Sequence, residues 1–246
     1  ISVPRINAIG LKGPEEAPAK ILAELGLKSE EIKVDNSDIK FSEELIYSRA
    51  KSILSEGDAV FIGGDHSITY PLFKAFNELR KDSFLIIFDA HADCMFPMKE
   101  PTHEEFLRGI IEFGFDPSKV ILIGVRKIEE EERKFLDKFK IKVFSEIYDL
   151  ESLGDYITEK SNGHSIYISI DIDVLDPAFA PGVNYYEPNG LSSKELFYLL
   201  KRLSHIKGSK VLDVVEIVPK KDKKYDYRTV KIASKIIKDF LDRTKT

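Results

Sequence analysis

Apolar residues along the chain gather in short continuous runs: AVFIGG from Ala59, FLIIFDAH from Phe84, VILIGV from Val120, IYISIDID from Ile166 and VLDVVEIV from Val211. None alternates cleanly with polar residues, so each reads as a strand covered on both faces. Between the runs, apolar positions recur at helical spacing over 15–25, 42–57, 69–81, 103–114, 129–139, 192–204 and 228–242. Ser192 and Glu195 form a capping-box pair, and Gly57 stands where a left-handed residue would stop the second of these helices. Strand followed by helix, repeated, predicts an α/β fold. A mostly parallel sheet lies between helical layers, joined by right-handed crossovers, with the ligand site outside the carboxyl ends of the strands. No repeat, low-complexity tract or Pro/Ser-rich linker breaks the pattern, so one domain over 1–246 is expected.

Three of the strand ends carry chemistry. GGDHS supplies Asp65 and His66, FDAHADC supplies Asp89, His91 and Asp93, and IDIDVLDP supplies Asp171, Asp173 and Asp176. Alternate residues of an extended chain point to the same side, and parallel strands bring their carboxyl ends together. Carboxylates gathered in this way repel and need cations. None of the motifs contains a lysine, so divalent metal is the simpler source of positive charge. The candidate ligands are His66, Asp89, His91, Asp93, Asp171 and Asp173, enough to hold two ions about 3.5–4 Å apart through bridging carboxylates. Imidazole mixed with carboxylate favours Mn²⁺, with Zn²⁺, Fe²⁺ and Co²⁺ as alternatives, over the all-oxygen sites of Ca²⁺ and Mg²⁺.

Each residue also has a plainer reading. Asp65 and Asp176, beside Gly and Pro, suit turn caps. A single histidine at a strand end is commonly a hydrogen-bonded structural residue. Cys94 reads as a small apolar filler, and the acidic run from Glu129 as a solvated helix start. Arg126, at the end of the VILIGV run, suits either a substrate contact or support for an acid. The combination of three strand ends is what favours the metal reading.

Composition narrows the class. The chain has 246 residues, 43% hydrophobic and 32% charged, a formal charge of −5, and no apolar segment near the roughly 20 residues that span a bilayer. The expectation is a soluble protein acting on a small molecule, with no nucleic-acid or membrane partner. A single cysteine excludes an internal disulfide framework and fits a reducing compartment, with the cytoplasm as the default.

GGDHS, DAHAD and SIDIDVLDPAFAPG, in this order, resemble the ureohydrolase family of arginases and agmatinases, and the likeness runs from GLKGPEEAP at Gly10 to DVVEIVP. The resemblance implies a three-layer α/β/α sandwich around a sheet of about eight parallel strands, with two Mn²⁺ ions. One ion would take His66, Asp89, Asp93 and Asp171, and the other Asp89, His91, Asp171 and Asp173. By the same likeness Asp93 carries a proton to the leaving amine, Glu216 pairs with the substrate guanidinium, and His103 shuttles protons in a loop. Two departures stand out. Relatives commonly have His-Gly where this chain has His103-Glu104, in PTHEEFLRG, and Thr-Pro-Glu-Pro or similar where it has GVNYYEPNG, around Tyr185 and Tyr186. Thr102 would equally serve as an N-cap there. The expected activity is hydrolysis of a linear guanidino compound, agmatine foremost, to urea and an amine. Arginine, guanidinobutyrate and formimidoylglutamate are the alternative substrates. A zinc deacetylase and a non-catalytic metal-stabilised homologue are the rival classes, and a homo-oligomer, trimer or hexamer, is implied by analogy.

Overall fold

In the computed structural model, which describes residues 1–7 and 11–244, seven strands form one fully parallel sheet. They are β1 (Ser2–Val3), β2 (Val60–Gly63), β3 (Ser83–Phe88), β4 (Val120–Ile123), β5 (Lys142–Phe144), β6 (Ser165–Asp171) and β7 (Lys210–Val215). Their order across the sheet is β1-β2-β7-β6-β3-β4-β5. The helices are α1 (Ala17–Leu25), α2 (Ile39–Glu56), α3 (Thr69–Leu79), α4 (Phe106–Glu112), α5 (Glu130–Phe139), α6 (Leu150–Ser161), α7 (Ser193–Ser204), the single turn α8 (Pro219–Asp222) and α9 (Arg228–Thr244). No helix among the described residues is long and apolar enough to cross a membrane.

The continuous apolar runs are explained by the two cores that flank the sheet. Phe84, Ile86 and Phe88 of β3 and Ile166, Ile168 and Ile170 of β6 pack with α1, α6, α7 and α9 on one face. Leu85, Ile87 and Tyr167 turn the other way, onto α2, α3, α4 and α5. A strand buried on both sides has no position for a solvated residue, which is why its sequence does not alternate.

All five strands expected from the apolar runs are present. The resemblance implies about eight strands, and seven occur among the described residues; the start of the GLKGPEEAP likeness, Gly10, lies outside them. The edge strands β1 and β5 are two and three residues long and carry no apolar run. Helix α6 was also not expected. It is capped by Asp149, which accepts from the backbone N–H of Glu151 and Ser152, and it keeps Gly154 against Tyr198 and Arg202 of α7. Ser192 and Glu195 do form the capping box of α7. Gly57 ends α2 in a nearly extended conformation, φ 159°, rather than the left-handed one expected. Helix α4 is shorter than the 103–114 pattern suggests, because residues 103–105 form a turn ahead of it.

The edge strand β1 reaches the site through one close approach. Beyond β2, the Gly64 N–H donates to the Val3 carbonyl and the Asp65 N–H to the Arg5 carbonyl, at 3.0 Å each. A Cβ on Gly64 would stand 1.7 Å from the Arg5 oxygen. Gly64→Ala is therefore expected to push the N-terminal segment off the sheet and to cost about 2–4 kcal/mol, read as a lowered unfolding midpoint in denaturant.

Candidate active site

The carboxyl ends of β2, β7, β6 and β3 are neighbours, so the loops that follow them meet over the middle of the sheet. His66 opens a 3₁₀ turn capped by Asp65, whose Oδ1 accepts from the Ser67 N–H at 3.2 Å. Its ring is fully buried and packs on Phe106, with centroids 4.1 Å apart. Nδ1 of His66 lies 3.0 Å from Asp89 Oδ2, 3.1 Å from Asp93 Oδ2 and 3.5 Å from Asp171 Oδ2. On the other side of Asp89, Nδ1 of His91 is 3.1 Å from Asp173 Oδ2 and 3.5 Å from Asp89 Oδ1. The six residues singled out in the strand-end motifs thus come together as two groups that share Asp89.

Three of the acids are held by the same device, one oxygen tied to backbone and the other free to face the cluster. Asp89 Oδ1 accepts from the His91 N–H at 2.6 Å, Asp171 Oδ1 from the Asp173 N–H at 2.9 Å, and Asp173 Oδ1 from the Ala90 N–H at 3.1 Å. The spacing D-x-H and D-x-D allows the first two, because an aspartate side chain reaches the N–H two residues on, whereas Asp173 is held across the sheet by the loop after β3.

The electrostatics are those of an overcrowded acid site. Burial and the repulsion of neighbouring carboxylates push Asp93 and Asp171 well above the usual carboxylate range. Burial would also raise Asp89, but His66 and His91 outweigh it and hold Asp89 low. Burial alone would lower both imidazoles; the surrounding carboxylates reverse the sign and carry both upward. Nδ1 of His66 and Oδ2 of Asp89 are buried and close, yet not aligned for a hydrogen bond to any partner. Those two orphaned atoms belong to two convergent groups, His66, Asp89 and Asp171 and Asp89, His91 and Asp173, whose mixed imidazole and carboxylate atoms fit divalent cations.

Glu216 approaches from the end of β7 with a left-handed backbone, φ 65°. Its Oε1 accepts from the His66 N–H at 2.8 Å, and it lines the same cavity of about 320 Å³ as His91, Asp93, Asp171 and Asp173. Burial, then the charges of Asp171 and Asp65, raise its carboxyl well above the ordinary value.

With this geometry in view, residues 12–242 match the family model described as the arginase family. The chain belongs to the arginase family. An agmatinase of Bacillus subtilis (strain 168) is 33% identical over 205 residues, covering 80% of this chain and 68% of its own length. The mitochondrial arginase 1 of Arabidopsis thaliana is 29% identical over 248 residues, covering 95% and 69%. The crystal structure of the agmatine ureohydrolase of Thermoplasma volcanium superposes with a TM-score of 0.84 at 26% identity, over 99% of this chain and 88% of that one. The protein is accordingly an arginase-family ureohydrolase, a metal-dependent amidinohydrolase, and the zinc deacetylase class is set aside.

In this ureohydrolase His103 also lines the cavity, 7% exposed, with its ring stacked on Tyr185 at 6.2 Å and its Nδ1 without a hydrogen-bond partner among the described residues. Thr102 caps the turn before α4, its Oγ1 accepting from the Glu104 N–H at 3.3 Å. Arg126 supports the site rather than entering the cavity: its guanidinium donates to the carbonyls of Asp173 and Glu187 at 2.7 Å each and to that of Gly124 at 3.1 Å. Asp176 caps its loop through the N–H groups of Ala178 and Asn189, at 2.9 Å each. Cys94 is buried, and burial pushes its thiol up, as suits a filler.

A second layer was missed in the sequence. Nε2 of His66 lies 2.8 Å from Ser169 Oγ, and Ser169 donates to Asp213 Oδ1 at 2.7 Å. Asp213 Oδ2 also accepts from Tyr167 at 2.6 Å and Thr69 at 2.9 Å. With Ser169 donating onward to Asp213, its oxygen accepts from the Nε2 N–H, which leaves Nδ1 as the ring nitrogen that faces the cluster. The signals were a lone acid inside the buried run VLDVV and a serine inside IYISI. Ser169→Ala is expected to lower divalent-metal affinity by about 10–100-fold with an unchanged circular dichroism spectrum, measured by competition with a chelating dye.

Proposed function

We propose that the protein hydrolyses a linear guanidino compound, foremost agmatine to urea and putrescine, with two Mn²⁺ ions held by His66, Asp89, His91, Asp93, Asp171 and Asp173 in a single ureohydrolase domain. The observation that supports this most is the sharing of Asp89 between two imidazole–carboxylate groups on the floor of a cavity that Glu216 also lines. In this reading Asp89 and Asp171 would be the acids shared by the two ions. When bound, such ions supply ionised water near neutral pH and stabilise developing negative charge.

The protein's own groups do the rest. Glu216 receives the guanidinium through a charge-assisted contact that orients its carbon over the cluster. Burial and neighbouring acids raise its carboxyl in the empty cavity, and an adjacent substrate cation favours the ionised form. Hydrolysis forms a C–O bond to the guanidinium carbon and breaks a C–N bond, and the departing nitrogen must gain a proton. Asp93 is suited to carry it, because its Oδ2 lies within the cluster, 3.1 Å from His66 Nδ1, beside the nitrogen that departs. His103, on the cavity wall, is placed to exchange the proton with solvent through the cavity.

Agmatine leads because no clear counterpart of arginase's loop recognition of an α-amino acid end was found in the sequence. Urea release from agmatine with added Mn²⁺ tests the reading. Asp171→Asn is expected to lose metal and turnover together, and equal turnover in that variant would contradict a bridging role.

Metal loading carries a pH signature. His66 and His91 are raised in the metal-free protein, so they hold protons that a ligand atom must release. Apparent affinity should therefore climb as pH rises, with proton release seen by titrating Mn²⁺ into weakly buffered protein. Affinity independent of pH would oppose the assignment.

A further inference from the structure

The floor of the cavity is committed to the reaction, whereas its outer wall has no assigned task. Glu104 stands on that wall, exposed, and its carboxylate forms no ion pair with a described residue. The basic side chain on the wall, Lys127, is half exposed and already lies 3.7 Å from the Glu187 carboxylate. Arg126 is turned onto backbone carbonyls. Glu132 is held by the N–H groups of Cys94 and Glu129, at 3.1 and 2.9 Å. Among the described residues the mouth therefore offers one carboxylate without an ion pair, while its lysine already stands beside an acid.

Two further features accompany Glu104 on this wall. The neighbouring His103 ring is buried, lines the cavity, and leaves Nδ1 without a partner. Tyr185 lies against both histidines of the cavity, 5.9 Å from the His91 ring and 6.2 Å from the His103 ring, and so presents an aromatic wall beside Glu104. An aromatic face next to a carboxylate attracts an alkylammonium through both charge and ring quadrupole.

We propose that Glu104, with Tyr185 beside it, reads the tail of the substrate. It selects a guanidino compound whose far end is positively charged and disfavours one that ends in a carboxylate. This rests on the ureohydrolase reading of the cavity, in which Glu216 holds the guanidinium at the floor and the rest of the molecule extends toward the mouth. A carboxylate tail would meet Glu104 and Glu129, with Lys127 already beside the Glu187 carboxylate. An ammonium tail gains from the same wall.

The test compares two substrates of matched length and opposite tail charge, 4-aminobutylguanidine and 4-guanidinobutanoate, as kcat/KM for urea release by Mn²⁺-loaded enzyme. Wild type should favour the amine. Glu104→Gln should reduce that preference about threefold, mainly through KM, and Glu104→Lys about tenfold or more. In the lysine variant the two substrates should move in opposite directions, which a merely structural role would not produce because it lowers both alike. Added salt should shrink the wild-type preference. Wild-type preference for the carboxylate, or a ratio unmoved in Glu104→Lys, would overturn the tail assignment while leaving the ureohydrolase reading intact. Absence of urea from both substrates would overturn that reading and the tail assignment with it.

Discussion

Buried carboxylates at the ends of adjacent parallel strands repel one another, and the rest of this structure is arranged around that repulsion. Two unit charges about 4 Å apart interact by about 4 kcal/mol at an effective dielectric constant of 20. Asp89, Asp171 and Asp173 are almost fully buried and Asp93 is 13% exposed at its side chain. Surface dilution cannot relieve them. What relieves them is two imidazoles carried upward by the acids themselves, backbone N–H groups on one oxygen of three of the acids, and cations of the kind a metal-dependent amidinohydrolase requires.

Holding that cluster costs backbone strain. Asp93 and Glu216 both adopt left-handed conformations without being glycine, φ 49° and 65°. Such positions cost on the order of 1–3 kcal/mol each and persist where surrounding bonds over-determine them. Here the Asp93 carbonyl accepts from the Leu107 N–H at 3.1 Å, and the Glu216 N–H donates to Gly64 at 2.9 Å. The loops are thereby tied to α4 and to the end of β2, so the sheet, rather than the loops alone, sets where the two carboxylates stand. The polar set of Tyr167, Ser169, Thr69 and Asp213 belongs to the same scheme. It places a buried acid beneath His66 with hydroxyl donors on both of its oxygens, a fully bonded network that fixes one ring orientation.

Much of this was legible in order along the chain. The five central strands could be read because burial on both faces removes every polar position from them, whereas β1 and β5 are too short and too near the edge to carry that signal. Helix α6 was hidden by Gly154 and a mixed surface, and its start is marked by Asp149 alone. Of the site, the D-x-H-x-D and D-x-D spacings were readable because an aspartate caps the backbone two residues on, leaving the second oxygen to face its neighbours.

The sequence by itself determined the fold class, the three strand ends that carry acids and histidines, and the family to which those motifs point, because each rests on spacing within a few residues. Tertiary structure alone decided which atoms meet. Asp213 reaches His66 only because β6 and β7 pair in register, Ser169 opposite Asp213. Arg126 was free to be a ligand contact or a support until the loops after β4 and β6 were seen to share it. The charge of the cavity mouth was likewise beyond local reading, since Glu104, Lys127 and Glu187 belong to three separate segments. Whether a charge there is paired depends on distances between segments, which no spacing along the chain encodes.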